Sequence, residues 1–82
     1  MNPSWRYSFT YSNNDLNENI QRIQSGEFFG DYGFRREILL QAHERGLIEI
    51  SDEFHSIPSG DWHTIPASAI TLIPQQNLQR SH

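Results

Sequence analysis

Between Trp5 and Tyr11 the chain alternates, with Trp5, Tyr7, Phe9 and Tyr11 at every second position and Arg6, Ser8 and Thr10 between them. A period of two puts the four rings on one face and predicts a half-buried strand. The period changes after Ser12. Leu16, Ile20 and Ile23 fall at i, i+4 and i+7, one stripe of a helix near residues 14–24. Ser12 stands three residues before Asp15 in the manner of a capping box, Asn13 and Asn14 are rival caps, and Gly26 supplies the stop.

A second helix is predicted from Tyr32 or Gly33 to Arg45 on the stripe Phe34, Ile38 and Ala42, widened by Leu39. Leu40 lies off that stripe, so this helix should touch neighbours on two sides. Gly46 should end it, with Leu47 folding back on the last turn. Leu47-Ile48-Glu49-Ile50 then reads as a strand with Ile48 and Ile50 inward. The run Ile57-Pro58-Ser59-Gly60-Asp61 suggests a reverse turn joining a strand that ends near Ile57 to one over Trp62–Ile65, which Pro66 closes. Ile70 to Ile73 reads as a last short strand.

The order is β-α-α-β-β with a fourth short strand to follow: an α+β fold of two helices packed on a small antiparallel sheet. Residues 1–74 form its single domain and residues 75–82 a frayed tail. The expected core is Trp5, Tyr7, Phe9, Leu16, Ile20, Ile23, Phe34, Ile38, Leu39, Ala42, Leu47, Ile48, Ile50, Trp62, Ile70 and Leu72.

Composition narrows the chemistry. Hydrophobic residues make up only 35% and mean hydropathy is −0.68, but 12% of residues are aromatic, and large rings let a chain of 82 residues keep a compact core. The chain has no cysteine, which excludes disulfides, thiolate metal sites and cysteine nucleophiles. It also has no lysine, its six basic residues all being arginine, so Schiff-base chemistry and P-loop phosphate binding are excluded. The N-terminus lacks the pattern of a signal peptide and no apolar run approaches a membrane span, which makes a soluble cytoplasmic protein the expectation. No serine stands in a nucleophile elbow, and a core this small leaves little room for an active-site cavity, so a non-enzymatic role is expected. No cofactor is implied.

The most unusual segment is Glu27-Phe28-Phe29-Gly30-Asp31-Tyr32-Gly33-Phe34-Arg35-Arg36, where four rings and an arginine pair occupy a helix-to-helix connection. Its rings can plug the core at the junction or present a contact surface. Aromatic residues and arginine are the types enriched at binding hot spots. Phe28, Phe29, Tyr32, Arg35 and Arg36 are therefore the expected partner-binding residues. The rings would supply apolar area and the guanidinium groups would bond partner carboxylates. The partner is expected to be a protein, a second copy in the simplest case, giving a homodimer.

Other patterns offer alternatives. The passage Ile38 to Ser51 (ILLQAHERGLIEIS) resembles the end of the recognition helix and the first wing strand of winged-helix proteins. That resemblance implies DNA binding, with Arg35 and Arg36 at phosphates and the loop Pro58–Asp61 as wing tip. A net charge of −4 counts against nucleic acid as the partner. His43, His55 and His63, with Asp61, have the donor types of a divalent-metal site, His55 and His63 being diagonal or opposite neighbours across the expected hairpin. Glu49, Asp52, Glu53 and Asp61, if gathered at the sheet end, would suit an arginine- or lysine-rich partner.

Overall fold

A computed structural model of the chain describes residues 9–74. Helix α1 spans Asn13–Ser25 and α2 spans Tyr32–Glu44. Strand β1, Ile48–Ile50, pairs antiparallel with β2, Ile70–Leu72, in the register Ile48↔Leu72, Glu49↔Thr71 and Ile50↔Ile70. The fold is α+β, two helices packed on a small two-stranded antiparallel sheet.

Local chemistry sets the helix ends. Ser12 wins the competition for the first cap, its Oγ accepting from the Asp15 N–H at 3.1 Å. Asp31 caps α2 in the same way, its Oδ1 accepting from the Phe34 N–H at 2.8 Å. Gly26 and Gly46 take φ of 83° and 75°, left-handed values that an L side chain resists. Beyond Gly46, the Leu47 N–H donates back to the Ala42 carbonyl at 2.9 Å and closes the expected C-terminal motif.

Leu16, Ile20 and Ile23 of α1 meet Ile38, Leu39 and Ala42 of α2 and Ile48, Ile50 and Ile70 of the sheet in one core. Leu40 is also buried, because α2 packs on α1 and β1 and, along another flank, on a 3-10 helix, Ser59–Thr64.

Four expectations are corrected. The strand ending near Ile57 and the strand over Trp62–Ile65 do not form. Pro58 opens the 3-10 helix, the Asp61 N–H donates to the Pro58 carbonyl at 2.9 Å and the Ile65 N–H to that of Trp62 at 3.1 Å. The bulky residues that suggested a strand are buried against α2 instead, which decides over strand propensity. The last strand, β2, pairs with β1. Trp5–Ser8 lie outside the described residues, and Phe9–Tyr11 run beside α2 without strand pairing, leaving Phe9 59% exposed and out of the core. Leu72 and Phe34 are half-buried, whereas Ile65, Ala69 and Gln41 join the buried set unforeseen. The expected tail, residues 75–82, and the core candidates Trp5 and Tyr7 also lie outside the described residues.

Gln41 explains how the entering chain is held without a strand. Its Nε2 donates to the Phe9 carbonyl at 2.6 Å and its Oε1 accepts from the Tyr11 N–H at 3.0 Å. One side-chain amide thus makes both bonds that a neighbouring strand would have made. Arg45 backs it, reaching the Gln41 Oε1 at 3.4 Å and the Asn13 Oδ1 at 2.9 Å.

Candidate functional site

The connection between α1 and α2 sorts its rings into two sets. Phe28 turns inward and stacks on Phe34 with ring centroids 5.2 Å apart. Phe34 in turn meets Tyr11 at 5.7 Å, and Tyr11 meets Phe9 at 4.8 Å, a row of rings from the loop to the entering chain. Gly30 is required here by space: a Cβ would run into the Phe34 ring and come within 2.9 Å of Phe28. Two rings go the other way. Phe29 is 86% exposed and Tyr32 is 74% exposed. Alternation along a loop pinned by Phe28 and capped by Asp31 leaves Phe29 no route inward.

Tyr32 is not loose for being exposed. It stacks on His63 at 5.0 Å, so the 3-10 helix supports it from the side. Arg36 stands one turn after Tyr32 on the same helical face and is half-buried. Tyr32 and Arg36 thus lie in the first turns of α2 with His63 beside Tyr32, Phe29 precedes them on the incoming loop, and Glu27 and Asp31 of that loop are exposed.

Arg35 goes elsewhere. Its Nη1 donates to the His63 carbonyl at 2.9 Å and to the Ile65 carbonyl at 2.7 Å. Burial pulls its pKa down from the ordinary guanidinium value, with the charge retained at neutral pH. Arg35 fastens the 3-10 helix to α2, and that nitrogen is spent inside the chain.

Tyr11 carries the other shift. Burial, and after it the Glu37 carboxylate, raise its pKa above the usual phenol value. The fold thus favours the neutral phenol. The stability this confers is complete below about pH 10, the unfolded value, and is lost as pH climbs through the raised folded value. Tyr11→Phe should flatten the alkaline fall in stability, measured by urea melts between about pH 9 and 12. Equal slopes in both proteins would remove Tyr11 as its source.

The histidines do not assemble as their spacing suggested. His43 and His55 are neighbours, with ring centroids 6.2 Å apart, and His43 also meets Trp62 edge-on at 5.1 Å. His63 is away on Tyr32, since the hairpin that would have brought it to His55 is absent. Among the described residues no three His, Asp or Glu side chains gather where they could share a metal ion. Pro58–Asp61, expected as a loop tip, instead leads into the 3-10 helix Ser59–Thr64, which packs on α2.

Of the five expected contact residues, then, Phe29 and Tyr32 are exposed and Arg36 is half-buried, while Phe28 stacks on Phe34 and Arg35 bonds the His63 and Ile65 carbonyls. His63 is the member that sequence reading missed, because its partnership with Tyr32 spans 31 residues and leaves no local signal. Among the described residues no helix is long and apolar enough to cross a membrane. No family model matches the chain, and no curated protein and no solved structure matches it.

Proposed function

We propose that this chain is a non-enzymatic protein-interaction module that docks a partner protein on the surface formed by Phe29, Tyr32, His63 and Arg36. The supporting observation is the near-complete exposure of Phe29 on a loop that its neighbours hold in place. A large ring left in water costs solvation free energy that a partner recovers at about 25 cal/mol per Å² of apolar area covered. A loop already pinned by Phe28 and Gly30 loses little further freedom on binding, so more of that gain appears as affinity. Arg36 supplies a charge-assisted donor beside the rings. A homodimer is the simplest arrangement, since a twofold axis covers the same surface on both copies.

Sedimentation and cross-linking of the purified protein up to about 100 μM test it, the midpoint being expected to weaken roughly 10–100-fold in Phe29→Ala, as for an aromatic hot spot worth about 1.4–2.8 kcal/mol. The variant should melt with the wild type, because the lost ring contacts little within its own chain. If the wild type neither self-associates nor retains a host protein that Phe29→Ala releases, the reading fails.

A further inference from the structure

We infer that the docking surface takes a cationic side chain of the partner, an arginine or lysine laid across the Phe29 ring between two carboxylates. This rests on the reading that Phe29 docks a protein, and adds what that protein must carry. The direction of each side chain in the loop is fixed. Phe28 turns inward onto Phe34, and a Cβ at Gly30 would run into those same two rings. Residues 28 and 30 therefore face the core, and the alternate residues Glu27, Phe29 and Asp31 face outward, all three exposed. Both ends of the row are held. The Glu27 N–H donates to the Arg22 carbonyl at 2.8 Å, and Asp31, extended at φ −85° and ψ −178°, caps α2 through its Oδ1. In extended chain, residues two apart stand roughly 6–7 Å from one another, so each carboxylate lies within a side chain's length of the ring.

That order of groups selects a cation. An aromatic face attracts an ammonium or guanidinium through its quadrupole, and a carboxylate within reach of the same charge adds an ion pair. Arginine and lysine also carry an apolar stem, which covers the ring while the charged head stays at the carboxylate. Other partners lose here. An apolar surface pressed onto Phe29 takes water from Glu27 and Asp31 and returns no bond, and an acidic one adds like charge. The chain as a whole leans the same way, with a net charge of −4. Tyr32, exposed and directly after Asp31, offers a ring to a second basic residue. Arg36, half-buried one turn further on, limits the footprint: the partner's cation belongs over the loop and not over α2.

Titration of the uniformly labelled chain with an acetylated, amidated pentapeptide of alternating arginine and serine, followed by NMR at low salt, tests this. The Phe29 ring and the amides of residues 27–32 should shift saturably, with a Kd below about 1 mM that rises as salt is added. Phe29→Leu keeps apolar bulk and loses the π face, and should weaken binding about three-fold, while Glu27→Arg should weaken it about five-fold. Glu53→Arg makes the same change of net charge close to His55, which meets His43 in the last turn of α2, and should leave the affinity within about two-fold. Unshifted resonances at residues 27–32 would overturn the proposal, as would equal shifts with a leucine–serine or glutamate–serine pentapeptide. Equal losses in Glu27→Arg and Glu53→Arg would also overturn it, since they mean attraction to net charge alone. The same shifts produced by raising the protein concentration without peptide would overturn it in favour of a second copy. Sedimentation separates the two readings: Phe29-dependent association that persists when the arginine peptide fails to bind keeps the docking surface and removes only its cationic partner.

Discussion

Trp62→Ala is expected to remove about 3–5 kcal/mol of stability, the range for deleting a buried tryptophan. A domain of this size holds roughly 4–12 kcal/mol in all at 0.05–0.15 kcal/mol per residue, so the variant should be marginally folded or unfolded at 37 °C. The cost is specific to the place. Trp62 is buried within the 3-10 helix, meets His43 edge-on and donates its indole N–H to the Ile57 carbonyl at 3.4 Å. Its loss opens a void between that helix and α2 and frees a carbonyl. A thermal melt followed by circular dichroism should show the midpoint falling by more than about 12 °C, at 4–8 °C per kcal/mol for a chain this short. A fall of less than about 4 °C would mean that residues 59–64 contribute no more than a surface loop does.

Arg35→Met is expected to cost about 2 kcal/mol, or roughly 8–16 °C in the melting midpoint. Methionine keeps much of the apolar stem and drops the two charge-assisted bonds to His63 and Ile65. Each such bond contributes about 1.5–3 kcal/mol where water is excluded, and partial exposure of the guanidinium lowers the two together to about 2 kcal/mol. The substitution should also loosen the Tyr32–His63 stack, since the freed carbonyls belong to the segment that carries the His63 ring. Arg36→Met, one position on, should leave the melting midpoint within about 4 °C, because a substitution away from such bonds typically stays within about ±0.5 kcal/mol. Equal melts for the two variants would contradict the structural role assigned to Arg35.

The helices were legible because their information is local. Leu16, Ile20 and Ile23 repeat at helical spacing, Ser12 and Gly26 mark the ends, and every bond those ends need lies within a few residues. The same holds for the turn through Gly46 into β1. The placement of the rings was legible in part. A run of rings in a helix connection is conspicuous in any sequence, but spacing does not say which ring turns inward. Phe28 stacks on Phe34 because Gly30 leaves room for it, and Phe29 is left outside in consequence.

The remainder depended on contacts distant in the chain. Residues Trp62 to Ile65 have the composition of a strand, yet burying Trp62 against α2 gains more than an isolated strand could. Gln41 is a buried polar residue of α2, and the backbone groups it bonds, at Phe9 and Tyr11, lie 30 or more residues away in the chain. Arg35 and Arg36 are adjacent and chemically identical, yet Arg35 bonds the His63 and Ile65 carbonyls and Arg36 stands half-buried one turn after Tyr32. A helix turns its successive residues about 100° apart, and what lies across from each is set by the packing of the 3-10 helix. Sequence alone therefore determined the elements whose hydrogen bonds close within a turn or two, while tertiary structure decided every assignment in which two groups far apart in the chain compete for the same buried partner.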